Sequence, residues 1–233
     1  MHGTRWIDAS APAEVVRPGH FHAPQGLVSR EYRLEPFEIY RSKGVRFTTG
    51  ARTAFDLGRA LRGDEAIVLI DALCNATGLK VDAVADVADR HRGAPGVVDL
   101  RAGLDLVDGG AESPPESRTR LALVRSGLPR PETQIVIEDE AGFFVARADL
   151  GWRRWRVLVE YQGEQHWTNR RQRALDLERR VAVESLGWTT VEVGAELLDD
   201  RPEELVRRVA HKLTAAGCND PAVTALASRR PSQ

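Results

Sequence analysis

A carboxylate and an amide follow a strongly apolar stretch of the sequence, and their types and spacing could do chemistry. The stretch is Val157-Leu158-Val159, whose branched side chains favour a buried strand, and Glu160 comes directly after it. Because side chains alternate along a strand, Glu160 and Gln162 lie on the same face. A carboxylate at the end of a buried strand is costly unless a cation or a metal pairs with it. The alternative is an edge strand that ends in an ordinary polar turn.

A second acid, Asp149, comes near the end of the preceding strand candidate, which runs from residue 143 to 150. Residues 134–138 form another strand candidate, and the segment 139–142 between them ends in glycine, as hairpin turns often do. Two adjacent strands that each deliver one carboxylate can place two oxygen ligands around a hard cation such as Mg²⁺. The pattern therefore predicts a metal site built from Asp149 and Glu160.

Helices flank these strands on both sides. A helix is predicted from Pro114 to Ser126, and a long polar helix from about Asn169 to Leu186, with Gly187 as its C-terminal cap. A last strand follows at residues 188–193. The order of elements is α-β-β-β-α-β, which predicts an α+β domain whose mixed sheet receives its last strand through a helical crossover.

In this order the residues resemble the core of the PD-(D/E)XK nucleases, and more closely the very-short-patch-repair-like endonuclease domains of unknown function. The resemblance covers about residues 112 to 213. The matching positions are Ser113, Glu116, Asp149, Val159, Glu160, Gly163, His166, Asp176, Arg179 and Gly187-Trp188. The resemblance implies a restriction-endonuclease-like αβββαβ core and a Mg²⁺-dependent or Mn²⁺-dependent endonuclease that hydrolyses phosphodiester bonds in DNA.

The resemblance also implies roles for single residues. Asp149 and Glu160 would bind the metal, Glu116 would hold a water or a second metal through water, and His166 would act as general acid or contact a phosphate. Gln162 stands where relatives often have Asp or Lys, and its amide can orient water but cannot act as a cation or a base. The alternative is therefore a catalytically inactive module that binds DNA or a protein within a toxin–antitoxin or phage-defence regulator.

Arginines could supply contacts to the phosphates of DNA. The expected set is Arg153, Arg154, Arg170, Arg173, Arg179 and Arg180, with Asp176 in a supporting role. Trp152 and Trp155 interleave with the first two, which is typical both of a nucleic-acid grip and of a hairpin tip. Asp176 can equally pair with a neighbouring arginine on the helix surface.

The first half of the sequence predicts short strands to about residue 48 and a bundle of four helices between residues 49 and 110. Its segment Arg52-Thr53-x-x-Asp56-Leu57 resembles a signature of actinobacterial proteins associated with AbiEi-type antitoxins. Those relatives usually begin with a winged helix-turn-helix that is missing here. We therefore expect a shortened relative or a chain start assigned too late.

The composition of the sequence and its domain boundaries give the remaining predictions. A formal net charge of −1 produces no overall basic field, so charge alone does not indicate nucleic-acid binding. We expect an N-terminal region at 1–110, an endonuclease-like domain at 111–217 and a flexible tail at 218–233. Two cysteines, no leader and no long apolar run predict a cytoplasmic protein that does not contact a membrane, with DNA and a defence-system protein as partners.

Overall fold

The structure, a computed structural model, describes residues 2–6, 10–17, 19, 22–163 and 170–229, and for residues 170–174 it describes the backbone alone. The chain divides into two compact units, residues 1–109 and residues 110–233. Helices and sheets occur in both units, so the predicted α+β class is confirmed.

The first unit begins with strands and continues with helices. The strands are β1 (Ala13–Val16) and β2 (Leu27–Arg30), which pair in parallel, and β3 (Ile39–Ser42) and β4 (Val45–Thr48), which pair antiparallel. The helices are α1 (Gly50–Ala60), α2 (Asp64–Thr77), α3 (Val81–Arg90) and α4 (Val97–Leu104). The predicted four-helix set is therefore confirmed. Phe55, Ile70 and Val84 are buried at its centre, as expected for helices that each carry one apolar stripe.

The second unit is built on a four-stranded sheet. Its strands are β5 (Glu132–Glu138), β6 (Phe144–Trp152), β7 (Val157–Tyr161) and β8 (Thr189–Val193), in the spatial order β5-β6-β7-β8. The first two pairings are antiparallel, and β7 pairs with β8 in parallel. The sheet is therefore mixed, because the connection from β7 to β8 returns the chain to the same end of the sheet.

Helices accompany this sheet. They are α5 (Pro114–Arg125), α6 (Arg170–Ser185), α7 (Ala195–Asp199), α8 (Pro202–Ala215) and α9 (Pro221–Ala227). One core cluster joins Val159 and Val191 of the sheet to Leu205 and Val209 of α8. A smaller cluster joins Leu158 to Val183 of α6. Since neighbouring residues of β7 enter different clusters, this strand is covered on both faces, which explains its continuous apolar run.

The expectation of a flexible tail after Gly217 is wrong for the residues that the structure describes. Cys218 is buried, and α9 inserts Val223 and Leu226 into the core cluster that contains α8. Asp220 caps this helix by accepting a hydrogen bond from the N–H of Ala222 at 2.8 Å. A helix of this length is stable only because its apolar side packs against the rest of the unit.

Within the described residues, no helix combines the length and the apolar character that a membrane crossing requires.

Candidate active site

Glu116 lies in the first turn of α5, where the sequence predicts a capping contact. The hydroxyl of Ser113 donates to Glu116 Oε1 at 2.7 Å, and the backbone N–H of Glu112 donates to Oε2 at 2.8 Å. Ser113 in turn accepts a hydrogen bond from the backbone N–H of Glu116 at 3.4 Å. The capping role is therefore present, and it holds the carboxylate in one orientation.

Asp149 and Glu160 come together across two antiparallel strands. Leu150 pairs with Val159, so Asp149 and Glu160 are the next positions along the same register. The backbone N–H of Tyr161 donates to Asp149 Oδ2 at 2.8 Å, which anchors the Asp149 side chain to β7. The charge of Glu160 raises the pKa of Asp149, so the two carboxylates interact. The structure thus joins the two acids that the sequence predicted as metal ligands.

The three acids share one electrostatic environment. Burial raises the pKa of Glu116, Asp149 and Glu160 above the usual carboxyl range. The negative charge of Glu160 also raises the pKa of Asp149, and the charge of Asp149 raises the pKa of Glu116. We call these three residues the acid cluster. Each additional negative charge makes the others harder to ionise, so a cation placed among them would be stabilised.

Arginines of α6 face this end of the sheet. Arg179 Nη2 donates to Glu160 Oε1 at 2.7 Å, and Arg180 forms an ion pair with Glu192. Glu192 lies on β8 in register with Glu160 on the parallel strand β7. The neighbouring strands β7 and β8 therefore each form one Glu–Arg ion pair with α6. Of the two arginines, Arg179 is the one bonded to the acid cluster.

Two residues at this site were missed by sequence reasoning. Glu192 sits in a Val-Glu-Val pattern that repeats the Val-Glu of β7, and this repetition is the signal that could have identified it. The sequence predicts Gln134 as an ordinary strand residue, but its φ is +52°, a left-handed conformation that is unfavourable for a side chain larger than glycine. Its amide Nε2 donates to Glu116 Oε2 at 3.2 Å. Strained backbone of this kind concentrates at functional sites.

Other predicted site residues have a less direct relation to the acid cluster. Gln162 follows β7 and is half-buried, and its backbone N–H extends the ladder by donating to Val193 O at 2.8 Å. Asp176 is half-buried on α6, and its charge raises the pKa of Glu160. Arg170 and Arg173 belong to α6, where only their backbone is described. His166 lies outside the described residues.

The arginines and tryptophans between β6 and β7 form a hairpin tip. Trp152 is buried, and its indole N–H donates to Pro129 O at 2.9 Å, so its ring belongs to the core and is not exposed for base stacking. Arg153 pairs with Glu132 at 3.0 Å, and the guanidinium of Arg154 lies 5.4 Å from the ring centre of Trp155. Of the two interpretations of this segment, the structure favours the hairpin tip, while a DNA contact by either arginine stays a prediction.

A divalent cation can be tested against the donor set. In the described part of the chain, no three His, Cys, Asp or Glu side chains lie close enough to form a metal site by themselves. Asp149 and Glu160 each use one oxygen in the contacts described, Oδ2 with Tyr161 and Oε1 with Arg179. The second oxygen of each carboxylate is a hard donor of the kind that Mg²⁺ prefers, and Mg²⁺ commonly uses one or two carboxylates and keeps several waters. The residues therefore fit such a cation as a two-carboxylate site.

Comparisons with known proteins identify similar proteins, but none with a described activity. No protein-family profile and no solved structure matches this sequence. The chain is similar to proteins of two strains of Mycobacterium tuberculosis, both described as uncharacterized, with 30% identity over 178 residues. The match covers 76% of this chain and 65% of each relative, so the chain spans just under two thirds of their length.

Proposed function

We propose that residues 110–233 form a metal-dependent endonuclease domain of the PD-(D/E)XK type, very-short-patch-repair-like, that hydrolyses phosphodiester bonds in DNA. The observation that carries the proposal is the acid cluster, in which burial raises the pKa of three carboxylates, and the charges of Glu160 and Asp149 further raise the pKa of Asp149 and Glu116. Structural ion pairs usually lower the pKa of a carboxyl group, whereas acids held with raised pKa values are typical of catalytic and metal-binding sites.

Mg²⁺ or Mn²⁺ would be held by Asp149 and Glu160. When bound, the metal supplies polarisation of the phosphodiester and a lower pKa for an attacking water. The pairing of β6 with β7 supports this assignment, because Leu150 faces Val159 and the next residue of each strand is one of the two acids. The Tyr161 N–H donates to Asp149 Oδ2 and would hold this carboxylate in position for the metal.

The other residues of the site would position the substrate and move protons. Glu116, oriented by Ser113 and Gln134, would accept a hydrogen bond from the attacking water. Arg179 presents a planar guanidinium that matches the geometry of a phosphate group. Gln162 would orient the nucleophile through its amide, and His166 would protonate the leaving oxygen or contact a phosphate.

A second candidate function rests on Arg179 and Gln162. Arg179 already neutralises Glu160, and Gln162 cannot supply the cation that a lysine would place beside the phosphate. Both features suit a domain that binds DNA, or a protein partner in a toxin–antitoxin or phage-defence system, without cutting. This alternative predicts DNA affinity that is independent of divalent metal.

The two functions separate in one cleavage assay. Supercoiled plasmid, single-stranded DNA and a mismatched duplex are incubated with the full chain in Mg²⁺, in Mn²⁺ or with a chelator. Asp149→Asn and Glu160→Gln are expected to lower metal-dependent cleavage by about a hundredfold or more, because they remove the ligand charges. Glu178→Gln, an exposed change on α6, serves as the matched control and keeps full cleavage.

Each outcome of the assay supports or excludes one of these functional interpretations. Cleavage that needs metal and disappears in Asp149→Asn but not in Glu178→Gln supports the endonuclease. Salt-sensitive DNA binding in chelator, with no cleavage under any of the three conditions, supports the binding module instead. Metal-dependent cleavage that survives both acid substitutions would remove the acid cluster from the active site.

A further inference from the structure

The open edge of β8 lies in a cleft of the second unit. The sheet order places β8 at one edge, with β7 as its strand neighbour in the described residues. Thr190 and Glu192 of β8, Arg180 of α6, and Arg207, Arg208 and Lys212 of α8 line a cleft of about 560 Å³. An open strand edge flanked by two helices can accept a further strand.

The hydrogen bonds between β7 and β8 show which backbone groups face the cleft. The N–H of Thr189 donates to Arg156 O at 2.8 Å, and Val193 O accepts from the N–H of Gln162 at 2.8 Å. In a parallel pair the N–H and C=O of one residue point to the same side, and consecutive residues alternate. Residues 189, 191 and 193 therefore bond to β7, and the N–H and C=O groups of Thr190 and Glu192 point away from it. Both of these residues line the cleft.

The α8 side of the cleft carries an excess of positive charge. Arg207 and Arg208 both bond to the single carboxylate of Glu204, each at 2.7 Å, so one positive charge of this group is left over. Lys212, one turn further along α8, is exposed and adds another. An acidic side chain that enters the cleft beside α8 would meet both.

A peptide suits the cleft better than a nucleic-acid strand does. The edge of β8 offers alternating N–H donors and C=O acceptors, and an extended peptide supplies both complements. Phosphate oxygens only accept hydrogen bonds, and they would meet the outward carbonyls together with the carboxylates of Glu184 and Glu192, which also line the cleft. The mixture of groups thus favours a chain that can donate as well as accept.

We propose that the edge of β8 binds an extended, acidic peptide segment of a partner protein by strand addition. The guest segment forms a strand next to β8 through the backbone groups of Thr190 and Glu192. Its acidic side chains lie against Arg207, Arg208 and Lys212 of α8. The cleft contains none of the three acids of the acid cluster, although Arg180 and Glu192 of the neighbouring candidate site also line it.

The test uses a defined probe, the blocked hexapeptide (Val-Glu)₃ carrying a fluorophore, and measures its binding to the full chain by fluorescence anisotropy. Two further versions are N-methylated, one at the three Val residues and the other at the three Glu residues. Strand addition requires the N–H groups of only one alternating set. One version is therefore expected to bind about tenfold more weakly or worse, and the other within about twofold of the parent peptide.

Protein variants test the two halves of the site. Thr190→Pro removes an outward N–H while leaving the ladder to β7 intact, a position where an edge strand tolerates proline, and is expected to weaken binding about fivefold. Lys212→Glu reverses a charge on the α8 wall and is expected to weaken binding by about fivefold or more, whereas Lys80→Glu, an exposed lysine of the first unit, serves as control and stays within about twofold.

Three results would overturn the proposal. The first is no binding of the hexapeptide at about 1 mM, a concentration that detects even weak association. The second is equal binding by the two methylated versions, which would mean that the backbone edge is not used. The third is binding of a single-stranded oligonucleotide that depends on Lys212 while the peptide fails to bind, which would make the cleft a phosphate-binding surface.

Discussion

Each unit of the molecule contains acids that are removed from solvent, fully at Glu38 in the first unit and partly in the acid cluster of the second, and the two sets are built in opposite ways. In the first unit, Glu38 is fully buried but bonds to Arg52 at 2.7 Å and to His91 at 2.6 Å. Burial alone would raise the pKa of Glu38, but the Glu35 N–H, His91 and Arg52 together bring this pKa below the usual carboxyl range. In the acid cluster of the second unit, the pKa values stay raised.

The difference distinguishes a structural network from a candidate active site. Arg52 also bonds to Asp56, so its charge is shared by two acids of the first unit. This pairing accounts for the Arg52-Thr53-x-x-Asp56-Leu57 segment as part of a buried scaffold. In the acid cluster, Arg179 and Arg180 lower the pKa of Glu160, but among the described residues their charges do not offset burial, and its pKa stays raised. An incompletely balanced site can bind a cation, whereas a balanced one is already satisfied.

The largest expected effect comes from breaking the balanced set. Arg52→Met leaves the buried carboxylate of Glu38 without its cation, which should lower the free energy of unfolding of the first unit by about 3–5 kcal/mol. Arg30→Met breaks an ion pair with Glu14 in which both side chains are substantially exposed, and it should cost less than about 1 kcal/mol. Hydrogen exchange of peptides from α1, followed during a urea titration, measures the free energy of unfolding of both variants. Equal costs for the two variants would contradict the contrast.

Neutralising one acid in each set should have opposite consequences. Glu38→Gln loses the attraction of a buried charge to Arg52 and should destabilise the first unit by about 2–3 kcal/mol. Asp149→Asn keeps an oxygen to accept the Tyr161 N–H while removing repulsion, so the stability of the second unit should stay the same or rise by up to about 1 kcal/mol. Trp152 and Trp155 report unfolding of the second unit by fluorescence. A loss of more than about 2 kcal/mol in Asp149→Asn would show that its charge is structural.

The pH dependence of stability should differ in sign between the two sets. The raised pKa values of the acid cluster mean that the folded state binds protons more tightly than the unfolded chain does. The acid cluster therefore makes its whole contribution to the free energy of unfolding below the ordinary carboxyl pKa. This contribution is lost as the pH rises through the raised pKa values. The lowered pKa of Glu38 has the reverse effect, with stability lost as pH falls through it. The free energies of unfolding of wild type and Asp149→Asn, measured between about pH 4 and 8, should become more similar as the pH falls. A difference that does not change with pH would contradict the raised pKa of Asp149.

The smallest effect concerns the strained residue beside the acid cluster. Gln134→Ala removes the hydrogen bond to Glu116 and keeps a side chain at φ +52°, so it should cost about 1 kcal/mol. Gln134→Gly removes the same bond but relieves the strain, and it should cost about 0.5 kcal/mol less than the alanine variant. Chemical unfolding of the two variants side by side measures the difference. If alanine were the more stable replacement, the left-handed conformation would not be strained.

Several elements could be predicted because their signals are local. The Ser-Pro-Pro-Glu start of α5 and the apolar run before Glu160 each contain their own signal, a cap in one case and branched side chains in the other. The helix α9 also has a local signal, since Asp220-Pro221 is a typical helix start, and the predicted flexible tail is wrong there. Short helices are difficult to predict because packing, rather than propensity, stabilises them.

The sequence by itself determined that Glu160 lies near the end of a buried strand, because the apolar run before it leaves few other places for a carboxylate. It also placed Asp149 on the preceding strand, but β6 continues to Trp152, beyond the predicted end at residue 150. Only the tertiary structure decided how those charges are balanced. The pairing of Arg179 with Glu160, the match of Glu192 to Glu160 and the rotation of Gln134 toward Glu116 each join residues that are distant in the chain. The pKa of a carboxyl group depends on burial and on every charge nearby, and these are properties of the assembled fold.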